Sequence, residues 1–158
     1  MMRPYADTNF LISLYIDVGA FNLARAQVTE AFARQSDALP VTSLLWAEIT
    51  NAFELHVHLA RHGGQWRVSP ETASAAIASF EDHVREAGVF FACEVSWSAL
   101  RREFRALSQR HTAKHGFRTY DILHVAQARL LDCDEFWSFD GKARMLAELE
   151  GFRLNSLQ

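Results

Sequence analysis

At 158 residues the chain has the length of one domain, and a domain of about 150 residues buries roughly 68–70% of its unfolded surface. A hydrophobic fraction of 49% with only 3 prolines and 7 glycines excludes a disordered or low-complexity chain. The 16 basic and 19 acidic residues leave a net charge of −3, which excludes a surface that attracts polyanions everywhere, so contact with nucleic acid has to be local.

In chain order, Met2–Ala6 reads as a short strand that meets Asp7-Thr8-Asn9, polar residues that both end a strand and cap a helix, before Phe10–Tyr15 continues. Residues 20–35 form an amphipathic helix with Leu23, Ala24, Val28, Ala31 and Phe32 on one side. Leu39–Thr42 reads as a second strand. Thr42 or Ser43 then caps a helix to about Arg61, with Leu45, Ile49, Ala52, Phe53 and Val57 on its buried stripe and Glu48 in its second turn.

His62-Gly63-Gly64 ends that helix, and Ser69-Pro70 opens another, with Ser69 as cap. Val89–Val95 is β-rich, and Ser96 or Ser98 caps a basic helix with Leu100, Phe104 and Leu107 facing in. Thr119 is the expected cap of a buried helix over about residues 120–131, which puts Asp121 in its first turn. Phe136–Phe139 reads as a strand stopped at Asp140-Gly141, followed by a helix at 142–149 and a last strand at 152–154. This alternation predicts an α/β fold in three layers, with helices flanking a mainly parallel central sheet.

No apolar run approaches the ~18 residues needed to span a bilayer, and the start of the chain lacks the pattern of a secretory signal, so a cytoplasmic protein without a membrane contact is expected. Cys93 and Cys133 form no CxxC motif and read as reduced, structural thiols.

Most acidic residues, including Asp82, Glu86, Glu103, Glu148 and Glu150, fall where solvent-facing charges belong, but four do not. Asp7 and Asp140 end predicted strands, while Glu48 and Asp121 lie in early turns of predicted helices among apolar neighbours. Singly, each has an ordinary explanation: helix-dipole complementation, a turn, or a salt bridge. Together, four carboxylates at the carboxyl end of a parallel sheet repel one another, and a divalent cation makes such a cluster tolerable. All-oxygen ligands select Mg²⁺ or Mn²⁺ over zinc.

The segments Tyr5-Ala6-Asp7-Thr8-Asn9-Phe10-Leu11, Trp46-Ala47-Glu48-Ile49, Arg118–Ala128 and Trp137-Ser138-Phe139-Asp140, in that order, resemble PIN-domain ribonucleases, and among these the VapC toxins of toxin-antitoxin pairs. The resemblance covers nearly the whole chain and implies a single PIN-like nuclease domain over residues 1–158. It also implies a Mg²⁺- or Mn²⁺-dependent endoribonuclease with Asp7, Glu48, Asp121 and Asp140 at the four acidic positions. Thr8, Asn9 and Ser138 match small polar positions that hydrogen-bond the carboxylates or metal-bound water. Implied partners are an RNA substrate, a small cognate antitoxin protein and a second copy of the chain in a homodimer. The alternatives are a housekeeping RNA-processing nuclease of the same chemistry, or a PIN-like scaffold without catalysis. Residues 63–92 match the pattern least.

A basic window supplies candidate RNA contacts. Arg101, Arg102, Arg105, Arg110, Lys114 and Arg118 fall within 18 residues whose only acid is Glu103, and of these Arg102, Arg105, Arg110, Lys114 and Arg118 are the candidates to grip the backbone. Glu54, His58 and His62, and the pair His111 and His115, have i, i+4 spacing that zinc could use, but a solvated histidine face is the expected reading. His124 is expected as a core histidine or one that supports the acidic site.

Overall fold

A computed structural model describes residues 1–158 as five short strands and seven helices. In chain order these are β1 (Pro4–Ala6), α1 (Thr8–Ile12), α2 (Phe21–Ala33), β2 (Leu39–Val41), α3 (Ser43–Arg61), α4 (Pro70–Glu86), β3 (Phe90–Ala92), α5 (Trp97–His115), α6 (Thr119–Leu130), β4 (Glu135–Trp137), α7 (Gly141–Leu149) and β5 (Arg153–Leu154). Every strand pair is parallel: β1 with β4, β4 with β5, and β2 with β3. The predicted α/β class with a parallel sheet is therefore what the chain adopts.

The strands form two ladders that adjoin along β1 and β2, where Asp37 N–H donates to Met2 O at 2.9 Å. Two prolines explain the seam. Asp7 N–H points to β4, donating to Trp137 O, so by alternation Pro4 and Ala6 face β2. Leu39 N–H points to β3, donating to Val89 O, so Pro40 faces β1. Neither proline has an N–H to give, and the hydrogen-bonded ladder breaks between them.

The strands are shorter than their sequence pattern. β2 stops at Val41 because Thr42 leaves the sheet to cap α3, accepting Leu45 N–H, so the β-rich run makes its last bond to β2 from Cys93 N–H to Val41 O and continues without a partner strand. Capping follows the sequence at Thr42, Ser69 and Ser96. It departs at α6. Arg118, not Thr119, is the cap residue, and the Asp121 carboxylate reaches back to accept Arg118 N–H at 3.0 Å. This is the acidic half of a capping box, and it aims Asp121 at the chain entering α6.

A cluster of 33 buried apolar residues fills the space between sheet and helices, with Tyr5, Phe10, Phe53, Phe80, Phe90 and Phe136 all but inaccessible to solvent. Cys93 and Cys133 are free and half-buried; burial raises both thiols, Cys133 to about 12, so neither is a reactive thiolate. No helix is long and apolar enough to cross a membrane.

Candidate active site

The carboxyl ends of β1 and β4 lie side by side, and the chain leaves each through an aspartate. Asp7 follows β1 and caps α1, its carboxylate accepting Phe10 N–H at 2.9 Å. Asp140 lies beyond β4 and caps α7, accepting Lys142 N–H and Ala143 N–H at 2.9 and 3.0 Å. The ordinary explanation of each aspartate as a helix cap is thus correct, and it is also what holds the two carboxylates at one end of the sheet.

The loop that carries Asp140 is clamped at three successive amides. Ser138 N–H donates to Asn155 Oδ1 (2.9 Å), Phe139 N–H to Asn9 Oδ1 (3.0 Å) and Asp140 N–H to Ser138 Oγ (2.9 Å). Arg144 ties the same loop to the C-terminal segment by donating to Ser138 O and Asn155 Oδ1 at 2.9 and 2.7 Å. With all three N–H groups satisfied by side chains, this segment has little freedom to move Asp140.

Asp7, Glu48, Asp121 and Asp140 line one hollow of about 260 Å³, together with Thr8, Asn9, Arg118, Tyr120 and His124. The four carboxylates come from four separate parts of the chain. No group of three or more His, Cys, Asp or Glu side chains is drawn tightly enough to form a ready ligand cluster. Each carboxylate is held instead by its own donor on the wall of the hollow, as like charges facing one another require.

Two features fit this hollow to a hard divalent cation: its four carboxylates offer oxygen while both ring nitrogens of His124, the imidazole in its lining, are engaged by Glu48 and Tyr5, and the Thr8 hydroxyl, buried at its edge, has no hydrogen-bond partner in the protein. Asp7 carries the cost of the arrangement. Burial pushes its carboxyl up to about 6, with the Asp140 charge adding to the shift, while His124, the Ser138 hydroxyl and Phe10 N–H act in the opposite direction. Arg118 supplies a partial countercharge, its guanidinium lying 3.6 Å from Asp121 and 3.5 Å from Asp140.

Behind Glu48 runs a chain of polar groups in which His124 supports the acidic site, as its sequence position suggested, while its partners Tyr5 and Gln127 were missed by sequence reasoning. His124 Nε2 meets Glu48 Oε2 at 2.9 Å, and Nδ1 meets Tyr5 Oη at 2.8 Å. Because Gln127 Nε2 donates to Tyr5 Oη (3.2 Å), and Thr42 Oγ1 donates to Gln127 Oε1, one set of roles satisfies every member. Tyr5 O–H donates to Nδ1, and Nε2–H donates to Glu48; this tautomer is assigned from the network. The available signal was Tyr5 in a buried strand and Gln127 on a buried helix face, since buried polar groups are there to be bonded.

Other expectations are corrected by the geometry. Glu150 is not a solvated charge. Its side chain is 7% exposed and meets Arg110, His111 and Arg129, with Glu103 also joined to Arg129. Burial opposes ionisation of Glu150, yet the His111 and Arg110 hydrogen bonds and the Arg110 and Arg129 charges outweigh it and hold the carboxyl below its usual range. Arg110 is therefore engaged within the protein, whereas Arg102, Arg105 and Lys114 form no ion pair. His58 and His62 stack on the α3 surface, with His62 Nδ1 against His58 O, and His111 is turned to Glu150, so neither histidine pair forms a zinc site.

No protein-family model and no curated protein matches the chain by sequence. Its fold is similar to that of VapC20 of Mycobacterium tuberculosis, a toxin that cleaves the sarcin-ricin loop, at a TM-score of 0.61 over 94% of this chain and 95% of the other, with 17% identity. The chain thus has the PIN-like α/β fold.

Proposed function

We propose that the protein is a divalent-metal-dependent endoribonuclease that hydrolyses RNA phosphodiester bonds and acts as the toxin of a type II toxin-antitoxin pair. The observation that carries this reading is the gathering of Asp7, Glu48, Asp121 and Asp140 with an unpartnered buried hydroxyl in one hollow at the carboxyl ends of β1 and β4. The fold likeness to a loop-cleaving toxin supports it.

Asp7 and Asp121 would be the primary ligands of Mg²⁺ or Mn²⁺, Asp140 would complete the site, and Thr8 would bond metal-bound water. When bound, the cation supplies Lewis-acid polarisation of the phosphate and an acidified water. Glu48, fixed through Oε2 by His124, keeps Oε1 free to orient the attacking water and take its proton. Asn9, Ser138 and Asn155 hold the Asp140 loop still while this happens. No side chain need act as a covalent nucleophile. Arg102, Arg105, Lys114 and Arg118 lie on α5 and at the start of α6, where they would meet the RNA backbone.

The reading carries with it a small antitoxin protein and a homodimer. Its test is cleavage of cellular RNA by the purified protein in the presence of Mg²⁺ and its loss in EDTA. Growth arrest on expression, relieved by a small protein encoded beside the gene, distinguishes a toxin from a housekeeping nuclease.

A further inference from the structure

A second concavity, of about 610 Å³, lies between α5 and the start of α6. Helix α6 is the wall between it and the acidic hollow. Tyr120, Asp121 and His124 face the hollow, while Thr119 and Leu123 face the groove, as about 100° of rotation per residue requires. Its floor is apolar, with Phe104 and Leu123 half-buried, and Trp97 at its edge is 68% exposed.

Its rim is cationic in an unusual way. Arg101, Arg102 and Arg105 line the groove without meeting a carboxylate. Arg110, Arg118 and Arg129 on the same pair of helices each do. In a chain of net charge −3, three uncommitted guanidinium groups beside an exposed indole form a local site for an anion that also carries a flat apolar face.

We propose that this groove is a nucleobase pocket: an unpaired base stacks on Trp97 over the Phe104–Leu123 floor, and the three arginines hold the phosphates on either side of it. The substrate class that follows is RNA presenting an unstacked nucleotide close to the bond that is cut. A base within a duplex shows only its edges to a protein, whereas a loop or single strand can turn out a whole face for stacking. The volume suits a ligand of nucleoside size. Because the same turn of α6 borders both concavities, a strand whose phosphate enters the hollow passes the groove with a neighbouring nucleotide. The inference rests on the nuclease reading for what happens in the hollow, but the binding it describes is independent of cleavage.

The experiment is equilibrium binding of a short single-stranded RNA carrying 2-aminopurine, followed in EDTA by anisotropy and by quenching of the base. It compares wild type, Trp97→Ala, Trp97→Phe and the Arg101→Ala, Arg105→Ala double variant. Wild type quenches the base. Trp97→Ala abolishes quenching and weakens binding on the order of ten-fold, the loss expected for one stacked base, and Trp97→Phe restores most of both. The double arginine variant binds more weakly and shows a shallower salt dependence. A blunt duplex of the same sequence binds wild type and Trp97→Ala equally.

Unchanged single-strand affinity in Trp97→Ala overturns the pocket. So does a Trp97→Ala variant that alters only the sedimentation behaviour, which would make the groove a contact between copies of the chain. Asp7→Asn separates the two readings: if the hollow is not the nuclease centre, Asp7→Asn cleaves as wild type does while the Trp97 effect persists. If only the pocket is wrong, Asp7→Asn is inert and Trp97→Ala binds normally.

Discussion

His124 Nε2 lies 2.9 Å from Glu48 Oε2, joining helix α6 to helix α3 across the acidic hollow. His124 is 4% exposed and its other ring nitrogen is fixed by Tyr5, so the direction of the imidazole is set from the core and not by solvent. Glu48 is the one hollow carboxylate on a long helix that does not cap anything. His124 does for Glu48 what the helix amides do for Asp7 and Asp140.

Removing that support leaves Glu48 free to take several rotamers. His124→Ala lowers kcat by about ten- to a hundred-fold with KM little changed, the scale known for groups that orient ligands and bases. His124→Gln, whose amide nitrogen can donate to Glu48, recovers most of the loss. Steady-state kinetics on a labelled RNA checks this; a fall in KM affinity with kcat intact would place His124 in substrate binding instead.

Tyr5→Phe strands two buried groups, His124 Nδ1 and the Gln127 amide. The protein becomes less stable by about 1–3 kcal/mol, the cost of leaving buried polar groups unpaired. Chemical denaturation at neutral pH measures it, and a change below about 0.5 kcal/mol would show that water replaces the phenol.

Asp7 makes the metal-free protein sensitive to pH. Its carboxyl stands at about 6 when folded against 3.8 ordinarily, so the folded state favours the proton. The associated stability is complete below about pH 3.8, declines as pH rises through 6, and amounts to roughly 3 kcal/mol. Asp7→Asn removes the charge and keeps a good helix cap. In EDTA at neutral pH the Asn variant therefore melts above wild type, while added Mg²⁺ raises only the wild-type midpoint. Equal midpoints without metal would mean that Asp7 is better solvated than its burial indicates.

Glu150 has the opposite sign. Its folded carboxyl is depressed, so its contribution is present above about pH 4.5 and is lost as pH falls through the lower folded value. Glu150→Gln destabilises by about 1–3 kcal/mol at neutral pH, since it removes charge-assisted hydrogen bonds, and the deficit narrows in acid. Thermal unfolding of both proteins across pH 3–7 follows the gap.

The sheet and helix order were legible because hydrophobic period and capping residues are local signals: Thr42, Ser69 and Ser96 cap as their sequence context demands. So was the meeting of Asp7 and Asp140, since a parallel sheet brings the ends of β1 and β4 together wherever the residues lie in the chain. Glu150 was not legible. Its neighbours Arg110, His111 and Arg129 come from helices far away in sequence, and only packing reveals that they enclose it. The same holds for the Tyr5–His124–Glu48 chain, and for Asn155, which reaches back from the C-terminal segment to the Asp140 loop. The Thr119 cap failed because Asp121 reaches Arg118 N–H instead and moves the start of α6 by one residue.

The central claim is that carboxylates from separate segments act together on RNA through a divalent ion. It is tested most directly by incubating cellular RNA with wild type, Asp7→Asn and Asp121→Asn proteins at equal concentration, with Mg²⁺ or with EDTA, and mapping the new 5′ ends. The account predicts discrete cleavage by wild type with Mg²⁺ alone and none by either folded variant. Metal-dependent cleavage by Asp7→Asn at the wild-type rate would contradict it.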